Sequence, residues 1–341
     1  MSTSVLRHYL NEFENGRDVA SSDAEALFQK LIGESNQNLL ADVLSAWNDK
    51  GVTEDELFSF ATIMRKRMKK IALNAPAFVD PVGTGGSGAK TFNVSTTAAF
   101  VIAGAGLPVA KHGNRAATSS SGSADVLSML GIDVDVDIST AERCFYEFGL
   151  CFMFAPRYHS LSPVLAAARR AVKKPTIFNN LGPLCNPAMA PHQVIGVSNQ
   201  NMLQKTARVL ARLGTKRSWV VNAAIGLDEI ALEGQTRVFE VSENGVDTFE
   251  VNARDFGVEV GNGDLPVGCA AESSARLITQ ILNNEAAETG AEDLVLINSA
   301  AALYVGGCSS TLPDAYRMAK ESVRSGAARE KMMRLASETS R

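Results

Sequence analysis

From Phe78 onward, short β-like runs alternate with helical stretches. Phe78–Val82, Leu107–Ala110, Phe152–Phe154, Val194–Val197 and Ser218–Val221 are separated by segments such as the amphipathic run Asn201–Leu213. Parallel neighbours in a sheet need a crossover, and a helix supplies it, so this alternation predicts a mainly parallel central sheet flanked by helices. Residues 1–74 carry helical periodicity instead: Leu27, Phe28, Leu31 and Ile32, then Leu39, Leu40, Val43, Leu44 and Trp47, then Leu57, Phe60, Ala61 and Met64, with Ser22 and Thr53 placed as N-caps. The expected fold class is α/β: a small all-helical N-terminal domain over 1–74, joined by part of 165–190, and a larger α/β domain over 75–341. A polar hairpin is expected over 236–258, turning at Glu243-Asn244-Gly245, and helices over 272–283, 292–305 and 313–335.

Composition narrows the function. The 33 Lys and Arg against 37 Asp and Glu leave a formal charge of −4, with no global attraction for nucleic acid or an anionic membrane, so any phosphate must be met locally. Five cysteines form no CxxC pair and no His/Cys cluster has zinc spacing; the expected compartment is the reducing cytoplasm. The apolar stretch from Thr96 to Ala110 is interrupted by Gly104, Gly106 and Pro108, too short to span a bilayer, and the first residues lack the charged and apolar regions of a secretory leader. The basic run Arg65-Lys-Arg-Met-Lys-Lys is expected to be a solvated helix end complementing the helix dipole, since no interleaved aromatics offer bases a stacking surface. His8 and His192 have no partner pattern and are expected at the surface or in the core.

The densest chemical signal is Asp80-Pro-Val-Gly-Thr-Gly-Gly-Ser-Gly-Ala-Lys-Thr-Phe-Asn-Val-Ser-Thr, a strand end, a glycine-rich loop and a small-residue helix. Backbone N–H groups of such a loop, with the positive end of the helix that follows, cradle an anion. Gly83-x-Gly85-x-x-Gly88 satisfies a dinucleotide fingerprint, yet the acidic residue expected about 20 positions later is missing, and Ala89 stands where a P-loop needs glycine. After one further strand, Lys111-His-Gly-Asn-Arg-Ala-Ala-Thr-Ser-Ser-Ser-Gly-Ser supplies two cations and a string of hydroxyls. Two anion-ready loops at neighbouring strand ends suggest one ligand with two phosphate groups. Asp228 and Glu229, in Gly226-Leu-Asp-Glu-Ile, are adjacent carboxylates suited either to a solvated turn or, beside polyphosphate, to Mg2+.

Several motifs in order make the chain resemble anthranilate phosphoribosyltransferase, a nucleoside-phosphorylase-like phosphoribosyltransferase family. They are Gly83-Thr-Gly-Gly, Thr91-Phe-Asn-Val-Ser-Thr, Lys111-His-Gly-Asn-Arg, Ser121-Gly-Ser-Ala-Asp-Val-Leu, Phe154-Ala-Pro-x-x-His159, Thr176-Ile-Phe-Asn-Asn-Leu-Gly-Pro-Leu-x-Asn-Pro and Gly226-Leu-Asp-Glu. The resemblance covers nearly the whole chain and implies a cytoplasmic homodimer that transfers phosphoribosyl from phosphoribosyl pyrophosphate (PRPP) to anthranilate in tryptophan biosynthesis, its site lying between the two domains. It implies that PRPP is held by Gly83, Gly86, Ser87, Thr91, Asn93, Val94, Ser95 and Thr96, and by Lys111, His112, Gly113, Asn114, Arg115, Ser119 and Ser123. It implies Mg2+ on Ser95, Asp228 and Glu229, anthranilate near Gly83, Asn114, His159 and Arg169, and catalytic roles for Lys111 and Arg169. Neither a membrane nor nucleic acid is an expected partner.

The chemistry agrees with those roles. Displacing pyrophosphate from a ribose carbon passes through a cationic, oxocarbenium-like sugar, so the main task is to neutralise the leaving group. An aromatic amine is already neutral at pH 7 and needs chiefly to be positioned. The chain departs from the family pattern at Ser87, Ser120, Asn222, Ile225 and Ser162-Pro163, each replacing a charged or metal-facing type. Another aromatic acceptor, nucleoside phosphorolysis, or a non-catalytic descendant binding a ligand or nucleic acid are the alternatives; retention of Asp228 and Glu229 opposes the last, and Arg169 favours a carboxylated acceptor.

Overall fold

The computed structural model describes residues 2–86, 91–116, 121–259 and 268–340. Four helices come first, α1 (Ser2–Glu14), α2 (Ala24–Gly33), α3 (Gln37–Lys50) and α4 (Glu54–Arg67). Helix α4 starts where the sequence signals it: Thr53 Oγ1 accepts from Glu56 N and the Glu56 carboxylate accepts from Thr53 N, a reciprocal capping box. Ser22 caps nothing; α2 starts one residue later, with Asp23 in the N-cap position and its side chain making no cap bond. The helical region ends at Arg67, earlier than the expected 74, and Met68 is already extended.

The rest is β1 (Val79–Gly83), α5 (Val94–Gly104), β2 (Val109–Gly113), α6 (Ser123–Met129), α7 (Ile138–Phe148), β3 (Leu150–Phe154), α8 (Ala155–Tyr158), α9 (Pro163–Val172), α10 (Ile177–Leu184), β4 (His192–Gly196), α11 (Gln200–Leu213), β5 (Arg217–Ala223), β6 (Thr236–Ser242), β7 (Gly245–Val251), α12 (Ala271–Leu282), α13 (Gly290–Val305), α14 (Leu312–Arg324) and α15 (Ala327–Thr339). The strand order is β3-β2-β1-β4-β5-β6-β7, with β1 to β5 parallel and β6 and β7 antiparallel. This is the expected α/β class. The hairpin turns where expected, but 253–256 form a 3-10 turn rather than strand. The run expected as one helix over 313–335 is two, because Gly326 adopts φ +79° between α14 and α15.

Strand alternation divides the core. Val194, Trp219 and Val221 face a cluster with α5, α7 and α12 to α15, whereas Ile195 and Val220 face α1 to α4, α9, α10 and α11. Leu165 and Ala168 of α9 and Leu181 of α10 are fully buried in that second cluster with Leu40 and Trp47. Arg65 is part of this packing and not of a solvated run: its Nε donates to Leu184 O at 2.7 Å and Nη1 to Leu213 O at 3.2 Å, satisfying the C-terminal carbonyls of α10 and α11. Arg67 pairs with Glu25.

Two features of the sheet create a site. The chain runs β1, β2, β3 to one side and then returns to β4 on the other, so the connections diverge beyond the ends of β1 and β4, where α/β sheets open a crevice. The β1–β2 ladder pairs only Val79 with Val109, and Pro81 has no N–H to extend it. Side chains fill the gap: Asp80 Oδ1 accepts from His112 N at 3.2 Å, and Lys111 Nζ donates to Pro81 O at 2.6 Å.

Candidate active site

A cavity of about 620 Å3 occupies that crevice, within the range of small-molecule sites. Its walls come from the ends of β1, β2 and β3, the N-terminus of α5, helices α9 and α10, and the loop after β5. Met64 of α4 also reaches it.

On the first wall, Gly83 and Gly86 lead to Thr91, Asn93, Val94 and Ser95 at the start of α5, all lining the cavity. Thr96, expected with them, is buried and does not line it, because the next position on a helix is turned about 100° away. Ser87 lies outside the described residues, as do Ser119 and Ser120. The polar atoms here are engaged. Lys111 Nζ also donates to Ser95 Oγ at 3.3 Å, and Ser121 Oγ donates to Asn93 Oδ1 at 2.8 Å. Burial lowers the Lys111 ammonium to about 8 against the pull of Asp80 and Glu229, and raises the Asp80 carboxyl to about 6 against Lys111 and its hydrogen bonds.

Close backbone approach positions the acidic pair. A side chain at Gly196 would place its Cβ 1.6 Å from the Asp228 carbonyl oxygen, so only glycine lets the loop after β5 lie across the end of β4. Asp228 Oδ2 then accepts from Gly85 N at 3.1 Å. From the other side Asn298 of α13 grips Ile230, accepting from its N–H and donating to its carbonyl, both at 2.9 Å. Glu229 is left with a buried Oε2 that has no hydrogen-bond partner among the described residues, and burial together with Asp228 raises its carboxyl well above the usual range. A buried, unpartnered carboxylate oxygen beside a second carboxylate is a donor set that fits a hard divalent cation completed by substrate oxygens. Among the described residues no cluster of three or more His, Cys, Asp or Glu side chains could hold a metal by itself.

The opposite wall is built differently. His112, Gly113, Asn114, Arg115 and Ser123 line the cavity from β2 and the loop to α6, and His159 and Arg169 line it from the β3 side. Arg115 is not a free cation: Nη1 pairs with Asp125 at 3.1 Å. The His112 and His159 rings stand 5.1 Å apart. Arg169, near the C-terminus of α9, makes no ion pair among the described residues; its guanidinium lies over the Phe178 ring at 5.2 Å and its Nε is buried without a partner. Burial, with Arg170 adjacent, lowers its pKa to about 10, so it stays charged at pH 7. Phe178 and Asn179 belong to the 176–187 motif, and sequence reading gave neither a role. Asn179 Oδ1 caps α10 at Thr176 N, and its Nδ2 reaches Thr84 O at 3.4 Å, tying α10 to the glycine loop.

Residues 75–329 match the "Glycosyl transferase family, a/b domain". The anthranilate phosphoribosyltransferase of Anaeromyxobacter dehalogenans strain 2CP-C is 41% identical over 336 residues, 98% of this chain and 99% of that one. The chain belongs to the anthranilate phosphoribosyltransferase family. It is therefore a glycosyltransferase of the pentosyl-transferring kind. The crystal structure of the Thermus thermophilus anthranilate phosphoribosyltransferase superposes with a TM-score of 0.85 at 31% identity, covering 98% of this chain and 99% of that one. The Saccharomyces cerevisiae enzyme in complex with PRPP and Mg superposes at 0.87 with 25% identity, covering 99% and 98%.

Three of the departing positions have a structural reading. Asn222 is buried, its Nδ2 donating to Val197 O at 2.7 Å, and Ile225 is 49% exposed; neither lines the cavity. Ser162 N-caps α9 by accepting from Leu165 N, so that departure orients the helix that carries Arg169.

Proposed function

We propose that the chain transfers the 5-phosphoribosyl group of PRPP to anthranilate and releases pyrophosphate, serving tryptophan biosynthesis. The observation that carries this reading is Arg169, a buried guanidinium on an aromatic shelf that no carboxylate among the described residues neutralises. A planar aromatic acid supplies the missing carboxylate, forming a charge-assisted pair with Arg169. A nucleoside would leave the cation unpaired.

The donor belongs at the opposite wall. Gly83, Gly86, Thr91, Asn93, Val94 and Ser95 surround its ribose phosphate and pyrophosphate, and Lys111 and the β2 loop from His112 to Arg115, with Ser123, approach from the side; Ser87 and Ser119 complete the set. Mg2+ would be held by Ser95, Asp228 and Glu229 with donor oxygens; bound there, it offsets negative charge accumulating on the departing pyrophosphate. Lys111, itself buried, adds a fixed positive charge. Gly83, Asn114, His159 and Arg169 set the acceptor's amine toward the sugar carbon, so the reaction gains chiefly from orientation.

The same reading includes a helical lobe of residues 1–74 with α9 and α10 beside the α/β lobe over 75–341, a homodimer, and a cytoplasmic setting, in keeping with five free thiols. Light scattering of the purified protein tests the dimer. The decisive assay mixes protein, Mg2+ and PRPP with anthranilate and follows loss of anthranilate fluorescence. Loss that requires all components supports the reading, and unchanged fluorescence overturns it.

A further inference from the structure

His112 and His159 line the cavity, and the Nε2 of each is buried with no hydrogen-bond partner among the described residues. Both rings are held from behind by backbone. His112 Nδ1 lies 3.1 Å from the Gly182 carbonyl, which can only accept, so Nδ1 carries the proton and Nε2 is a bare lone pair. The backbone of Cys185, three residues further along, hydrogen-bonds the His159 ring. One helix end thus orients both rings, and no described group uses their lone pairs. A buried acceptor without a donor costs about 1–3 kcal/mol, so such a pair points to a donor brought by a ligand. Of the two substrates proposed above, the one with a pair of N–H bonds to give is the aromatic amine.

Resting on the proposed function, we infer that His112 Nε2 and His159 Nε2 receive the two N–H groups of the acceptor amine and that His112 takes the proton released on transfer. The amine lone pair forms the new bond to the sugar carbon as the carbon–oxygen bond to pyrophosphate breaks, its electron pair leaving with the pyrophosphate. The nitrogen, now cationic, passes one proton to His112 Nε2, and the imidazolium returns it to water after product leaves. Burial, with His159 and Lys111 nearby, holds His112 down at about 3, and burial holds His159 at about 4. Both lone pairs therefore remain available at pH 7. A weak base suffices, because an alkylated anilinium is itself a strong acid.

The test uses the full-length protein, Mg2+, PRPP and anthranilate in single turnover. His112→Asn keeps a donor for Gly182 and loses the lone pair at Nε2; His112→Gln restores an acceptor there that takes up no proton. Expected are single-turnover rates lower by about a hundredfold in both, the usual scale of general-base catalysis, with the anthranilate KM of the Gln variant within about threefold of wild type. Added imidazole should speed His112→Ala but not wild type. A Gln variant reacting at the wild-type rate, a change confined to KM, or an Ala variant unmoved by imidazole overturns the proton transfer. If His112→Asn fails to fold, the Gln variant and the imidazole arm decide. Wild type that leaves anthranilate unconsumed overturns the parent reading, and a failure seen only in the variants overturns this one.

Discussion

The two walls of the cavity treat their polar atoms in opposite ways. On the donor side, Lys111 bonds Pro81 and Ser95, Asp228 bonds Gly85, and Ser121 bonds Asn93, so the groups are held before any ligand arrives. On the acceptor side, His112 Nε2, His159 Nε2 and Arg169 Nε are buried with no partner among the described residues. A pre-bonded wall presents a rigid surface suited to a common anionic group, and a wall of unpartnered groups penalises any ligand that cannot satisfy them. Donor positioning and acceptor discrimination are thus divided across one crevice, with His112, where the β2 loop begins, shared by both. Glu229 is the exception on the donor side, and its unpartnered oxygen is where a cation would complete the set.

The largest effect is expected at that exception. Asp228→Asn with Glu229→Gln should lower kcat by at least about a thousandfold, the scale of several kcal/mol of lost charge stabilisation, while thermal unfolding shows an intact fold. Unchanged kcat at limiting Mg2+ would place the metal elsewhere. Next comes the approach that positions the pair. In Gly196→Ala the new methyl cannot coexist with the Asp228 carbonyl, so the loop must shift, and misplacement on the order of 1 Å costs about a hundredfold in kcat/KM. Wild-type kinetics in that variant would show that the loop tolerates movement.

The acceptor wall should respond in binding. Arg169→Ala is expected to raise the anthranilate KM roughly ten- to a hundredfold, from the loss of about 1.5–3 kcal/mol, with the PRPP KM nearly unchanged. Equal effects on both substrates would erase the division between the walls. The smallest effect is on stability. His159 titrates near 4 in the fold and about 6.5 when unfolded, so the unfolded state binds more protons as pH falls below 6.5, and stability present above that pH is lost toward 4. At pH 5 this amounts to about 2 kcal/mol. Asp80, raised to about 6, acts in the opposite sense, but it is common to wild type and His159→Gln. The stability advantage of wild type over the variant should therefore shrink by about 2 kcal/mol between pH 7 and 5, measured by urea unfolding; a constant difference would mean that His159 is not held neutral.

Sequence alone determined what depends on neighbouring residues. The alternation of strand and helix, the start of α4 at Thr53 and the glycine loop before α5 are all encoded within a few positions, because periodicity, capping and backbone freedom are local properties. So was the order of the family motifs, including Phe154 to His159 and the acidic pair. Tertiary structure decided what those side chains meet. That Arg65 is consumed by α10 and α11, that Ile225 is exposed and does not line the cavity, and that Thr96 turns from it while Ser95 faces it follow from packing between segments distant in the chain. Likewise His112 becomes a lone-pair acceptor only because the Gly182 carbonyl, 70 residues later, fixes its proton on the other nitrogen. A residue's type sets which protons it can hold, and only the fold, by placing a partner at one nitrogen and none at the other, decides which face of the ring is left to do chemistry.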